Sequence, residues 1–246
     1  MNRSKFKFLV PIVLFWLPFV AEAAPGLSVT GTTVTPQNAP KVVAALDKWM
    51  ASPVGKQYKG RLLLQAHVAD GNDPATHSIV ALHHSAAEAD AFATLAQNDP
   101  AWAELLNTIV PISQQQFTGR ATTIKSWGDI NDTDTVWNVH YFTITDLPAV
   151  IAAVDAWNAS PMGKKAPGQA HLSAMTAVGI NPATHVISVG YASMAEMETY
   201  GDMAAKDPDR AKFLTAMQRA STHLGAVIAR DVKSWGPATM KSLTQQ

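Results

Sequence analysis

One stretch of this sequence occurs twice, and that duplication constrains the fold more than any other feature. Pro74-Ala75-Thr76-His77 returns as Pro182-Ala183-Thr184-His185. The same offset carries Trp49-Met50-Ala51-Ser52-Pro53-Val54-Gly55-Lys56 onto Trp157-Asn158-Ala159-Ser160-Pro161-Met162-Gly163-Lys164, and Lys125-Ser126-Trp127-Gly128 onto Lys233-Ser234-Trp235-Gly236. The chain is therefore two copies of one unit of roughly 100 residues, the size of a small domain. Their expected limits are 24–128 and 136–246, with a linker at 129–135.

Periodicity gives the content of each copy. In the second, Trp137, Val139 and Tyr141 alternate with Asn138, His140 and Phe142, as a strand does. The offset makes Val29–Thr35 the matching strand of the first. A helix follows, with Asn38 or Asp146 at the N-cap, Pro40 or Pro148 in the first turn, and apolar residues at helical spacing up to Trp49 or Trp157. Ser-Pro-x-Gly stops it, the Gly being expected to permit a reversal. Two alternating strands come next, about 61–68 and 77–83 in the first copy. Ser85-Ala86-Ala87-Glu88 and Ser193-Met194-Ala195-Glu196 then read as capping boxes opening a second helix. Asp99-Pro100 and Asp207-Pro208 restart that helix after a break. A last strand ends at Lys-Ser-Trp-Gly.

Composition removes several functions. There is no cysteine, so thiolate catalysis, disulfides and cysteine-ligated zinc are excluded. The formal charge is zero, which gives no electrostatic footprint for nucleic acid. The first 23 residues read as a signal peptide. Arg3, Lys5 and Lys7 precede an apolar run, and Ala21-Glu22-Ala23 fits the cleavage pattern. The expectation is a periplasmic or secreted protein, with no membrane association after cleavage.

Each copy thus runs strand, helix, strand, strand, helix, strand, the split βαβ order. An α+β chain of two tandem ferredoxin-like βαββαβ repeats resembles the dimeric α+β barrel superfamily in fused form. The resemblance rests on element order and duplication, and it implies an intramolecular barrel in which one copy supplies the other's sheet partner. The superfamily includes cofactor-independent monooxygenases, haem-degrading enzymes, dehydratase-like proteins and stress-responsive domains. A monomer is the simplest expectation, with dimerisation left open.

No nucleophile elbow, phosphate loop, dinucleotide fingerprint or H-E-x-x-H occurs, and no cofactor or metal is expected. Histidine is the one candidate type. If His67 lies opposite His77, then Arg61 lies opposite His83, and all four share a face with Gln65. Leu62, Leu64, Val80 and Leu82 then face the helices. In the second copy the same face holds Gln169, His171, Ser173, Met175, His185 and Tyr191. In a closed barrel that face is the interior. The leading expectation is a small-molecule binding protein whose ligand sits between the sheets against Arg61, His67, His83, His171 and Tyr191. His77 and His185, repeated with Pro-Ala-Thr, read as structural turn residues. Adjacent His83 and His84 point to opposite faces and cannot share one ion. An oxygenase-like enzyme with an interior His as general base, and a structural module with a side-chain-filled barrel, are the alternatives. The copies also diverge: Arg61, His67, His83 and Arg120 become Gln169, Met175, Tyr191 and Ile228.

Overall fold

The computed structural model describes residues 24–69, 71, 73–177 and 182–244. The expected signal segment lies outside the described residues. The first repeat contains β1 (Gly26–Val34), α1 (Ala39–Met50), β2 (Arg61–Ala69), β3 (His77–His83), α2 (Ala86–Gln97), α3 (Pro100–Ile109) and β4 (Ser113–Gly128). The second contains β5 (Val136–Ile144), α4 (Leu147–Ala159), β6 (Gln169–Ala177), β7 (His185–Tyr191), α5 (Met194–Ala205), α6 (Pro208–Ala220), β8 (Ser221–Trp235) and α7 (Met240–Thr244).

The strands close into a barrel in the order β1-β3-β2-β8-β5-β7-β6-β4, with β4 returning to β1. All neighbours are antiparallel. The two seams between repeats are β2 with β8 and β4 with β6, so the last strand of each copy bridges to the other. Closure leaves no open sheet edge. Helices cover the outer face. Val42, Leu46 and Trp49 of α1 pack with Leu62 and Leu64 of β2 and Leu105 of α3, while Val150 and Val154 of α4 pack with Leu172, Ile187 and Met217. Among the described residues no helix is long and apolar enough to cross a membrane.

Several caps differ in detail from the expectation. Asp146 accepts from Ala149 N at 3.0 Å, but Asn38 makes no cap bond and its Nδ2 reaches Ile112 O at 3.4 Å instead. Ser85 and Ser193 accept from Glu88 N and Glu196 N at 3.1 Å. The glutamates do not bond the cap's own amide. Glu88 Oε2 meets His84 Nδ1 at 3.0 Å, and Glu196 Oε2 accepts from Ala192 N at 2.7 Å, one residue further back. Gly55 and Gly163 do not reverse the chain through a left-handed conformation. Each opens a single 3-10 turn, its amide held by Ser52 Oγ or Ser160 Oγ at 3.0 Å. A Cβ on either would run into the carbonyl of Trp49 or Trp157, so close approach is what demands glycine there.

Candidate functional site

Inside the barrel, β2 presents Leu63, Gln65 and His67, and β3 presents Ser78, Val80 and Leu82. The register pairs Gln65 with Ser78 and Ala66 with His77, one residue out of step with the expected pairing. A one-residue slip turns every side chain to the other face. His77 and His83 therefore leave the inward row, His83 at the rim of the barrel interior where β3 ends, and the matching pairing of Ala174 with His185 turns His185 and Tyr191 outward too. The alternation could not choose, because β3 is apolar on both faces: Ile79 and Ala81 pack under the helices while Val80 and Leu82 face the barrel.

His67, His171 and Gln65 are satisfied by their neighbours, whereas the inward Trp137 Nε1 lacks a well-formed hydrogen bond among the described residues. His67 Nδ1 lies 2.7 Å from Ala75 O and its Nε2 2.7 Å from Ser78 Oγ. His171 Nδ1 lies 2.8 Å from Ser126 Oγ and its Nε2 3.0 Å from Gln169 Oε1. Burial lowers the His171 pKa to about 4, so the ring is neutral. Gln65 Nε2 donates to Asp231 Oδ1 at 2.8 Å, and burial raises the Asp231 carboxyl above its ordinary range. Met240 and Leu243 of α7 are buried against one mouth, where Asp132 Oδ1 takes both Arg61 and Met240 N. What remains is a chamber of about 130 Å³, comparable to the roughly 150 Å³ cavity that admits benzene.

A larger cavity, about 420 Å³, lies between the outer face of the second sheet and α4, α5 and α6. Its walls include Phe142, Trp157, Tyr191, Tyr200, Phe213 and Met217, with His140, His223, Asn158 and Gln218 as polar members. His140 Nδ1 and His223 Nε2 are 3.2 Å apart, brought together from neighbouring strands. Burial, and then the charge of His223, lower the His140 pKa to about 4. In the first repeat the same place is filled. Trp49 meets Trp102 at 5.0 Å between ring centroids, and Tyr58 meets Phe92 at 4.8 Å. The second copy has Ala166 for Tyr58, Arg210 for Trp102 and Asn158 for Met50. Loss of those three bulky apolar side chains opens the cavity.

No protein family and no curated protein matches the sequence. Solved structures do match in shape. A "putative monooxygenase" from Lactobacillus acidophilus superposes with a TM-score of 0.61 at 11% identity, covering 88% of this chain and 97% of that one. A protein of the same description from Fusobacterium nucleatum gives 0.58 at 12%, covering 88% and 96%. An anthrone oxidase-like protein gives 0.56 at 12%, covering 87% and 94%. The chain is a fused dimeric α+β barrel. At such identities the likeness shows the fold alone.

Within this fused barrel the expected site residues converge only in part. His67, His83 and His171 line the interior chamber, His83 from its rim where β3 ends. Arg61 sits at a mouth, tied to Asp132. The His83 ring also lies under α2 against Tyr58, with ring centroids 5.6 Å apart. Tyr191 lines the second repeat's outer cavity. His77 and His185 bond the hydroxyls of Thr76 and Thr184 at 2.9 and 2.8 Å. Among the described residues no three His, Asp or Glu side chains are grouped to hold a metal ion. His140 and His223 were not singled out by motif. The available signal was that both arose in one copy, replacing Thr32 and Gln115 of the other on adjacent strands.

Proposed function

We propose that this is an exported protein that binds a small aromatic molecule carrying a hydroxyl group in the second repeat's outer cavity. The observation that carries this reading is a 420 Å³ aromatic-walled space with a histidine pair at its edge, open in one repeat and filled in the other. That volume falls in the range of small-molecule sites, about 300–1,000 Å³, and the composition follows the usual plan of apolar walls with few polar groups. The barrel chamber is smaller, and its His67 and His171 rings are engaged at both nitrogens. Thermal shift with 1-naphthol tests the site. The expected result is a raised Tm for the parent and none for Ala166→Tyr, which restores the first repeat's filler. No shift in the parent, or an equal shift in Ala166→Tyr, sinks the reading and favours a purely structural barrel.

A second reading, an enzyme, is favoured by the neutral His140 beside His223. A neutral imidazole in an apolar wall can accept a hydrogen bond from a bound ligand's hydroxyl, the position a general base must occupy. The monooxygenase and anthrone oxidase names borne by proteins of this fold lend this reading support. Consumption of dioxygen with bound 1-naphthol at neutral pH, lost in His140→Phe with naphthol still bound, is the outcome that reading requires.

A further inference from the structure

The first repeat has an opening of its own, separate from the cavity above. A cleft of about 380 Å³ lies at the rim of the barrel chamber, with which it shares Gly26, Leu27, His83, Arg120 and Ala121, where β1 runs between β3 and β4 and α2 begins. His83 pairs with Gly26, and Arg120 with Ser28, so the two side chains flank β1 from opposite sides beside Ser85 and Ala86. His83 is 7% exposed, lines the cleft, and its Nδ1 has no hydrogen-bond partner among the described residues. A buried polar atom left without a partner is costly, so it marks a place where one is supplied. Among the described residues the Arg120 guanidinium meets only Asp90, at 3.6 Å, and both are largely exposed. Ser85 Oγ satisfies Glu88 N, which leaves the first amides of the 12-residue α2 without intrahelical partners.

The second repeat is an internal control. Ser28, His83, Ala86, Ala89 and Arg120 line the cleft; their counterparts are Val136, Tyr191, Met194, Met197 and Ile228. All five counterparts belong to one apolar cluster that packs the equivalent space shut. A single backbone plan therefore carries two solutions at this place. One is a closed apolar plug. The other is an open cleft with a guanidinium, an imidazole nitrogen lacking a partner, and free helix amides.

We propose that this cleft binds a small monocarboxylate, its oxygens held by Arg120 and the first amides of α2, with His83 Nδ1–H donating to the same group. Anions are favoured at a helix N-terminus, and a guanidinium matches a carboxylate fork. A single charge suits the place better than two. Among the described residues Arg120 is the one cation lining the cleft, and the Asp90 carboxylate lines it too. Releasing Asp90 from Arg120 costs little, because exposed ion pairs contribute only about 0–1 kcal/mol.

The test is a titration of the full chain with sodium propionate at constant ionic strength, read by NMR at the Ala86 and Ala87 amides that open α2. Expected is a saturable shift, weakened at least tenfold in Arg120→Ile and again in His83→Tyr. Each variant installs the residue the second repeat already uses at that position, and an unchanged Tm confirms that the fold is kept. Absence of saturation up to about 100 mM, an affinity weaker than ~−1.4 kcal/mol, overturns the proposal. So does unchanged affinity in Arg120→Ile, or tighter binding of inorganic phosphate than of propionate.

Discussion

Two carboxylates, Asp47 and Asp155, tie the repeats together one residue at a time. Asp155 of α4 accepts from Lys125 Nζ at 2.7 and 2.9 Å and from Trp127 Nε1 at 2.7 Å. Asp47 of α1 accepts from Trp235 Nε1 at 2.7 Å and lies 2.6 Å from Lys233 Nζ. Each acid sits on one copy's helix and its donors on the other copy's last strand. The repeated Lys-Ser-Trp-Gly is thus a reciprocal clasp, and its Gly128 and Gly236 take φ of +82° and +95° to turn away after it. The lysine bond first, then the indole, holds both carboxyls below the ordinary value of 3.8. A depressed folded-state pKa stabilises above the unfolded value, and that contribution disappears as pH falls below about 3.8. The acids are partly exposed, so Asp155→Asn should cost only ~1 kcal/mol after solvent screening. Urea unfolding at pH 7 and pH 3 should show a larger cost at the first pH than at the second. The pairing in the clasp was not legible, since sequence shows that Trp127 and Trp235 end strands but not which helix they reach. The facing of β3 was hidden for a related reason. With Ile79 and Ala81 on one side and Val80 and Leu82 on the other, only the hairpin register decides, and the connection from Ala69 to His77 is too long to fix it as a two-residue turn does.

Elements were the most legible scale, because caps and periodicity are local. Asp99 and Asp207 cap α3 and α6 through Ala101 N at 2.8 Å and Asp209 N at 2.9 Å, with Pro100 and Pro208 next, as the Asp-Pro pairs indicated. A void cannot be read locally, since it consists of side chains that are missing from where another element would meet them. Tyr58 shows what the second repeat lacks. It is 4% exposed, its hydroxyl donates to Leu82 O at 2.8 Å, and burial pushes its pKa up. Tyr58→Ala should therefore cost about 3–5 kcal/mol, the range for removing a large buried ring. Thermal unfolding of that variant beside Ala166→Tyr would compare the two repeats, and a loss below 1 kcal/mol would mean the first repeat collapses around the gap. The helix-ending glycines give a sharper check. Gly163→Ala places a methyl against the Trp157 carbonyl and should destabilise by roughly 1–3 kcal/mol, the usual cost of overpacking. Equilibrium denaturation measures it directly.

For the molecule as a whole, buried neutral histidines set the response to acid. His140 and His171 each have pKa values lowered to about 4 by burial, against 6.5 when exposed. The unfolded chain then binds protons first, so stability is fully present above pH 6.5 and is lost as pH falls towards 4. Each group contributes on the order of 3 kcal/mol across that window. Unfolding free energies measured from pH 7.5 to 4 should fall along this curve, and His171→Gln should remove part of the slope. A flat profile would show that water reaches these rings in the folded state. The duplication made this architecture legible from two aligned copies, whereas the pockets had to be read from what the copies do not share.

The clasped, interleaved copies have one more consequence, and it concerns heredity. Where two identical subunits form such a barrel, each substitution appears at two places, so a gap cut in one half is cut in the other and its cost is doubled. Here a single gene encodes both halves. Tyr58 can stay while Ala166 replaces its twin, and Ile228 can stay while Arg120 replaces its own. One half retains the solid interior that supports the whole at each place where the other half has given its interior up.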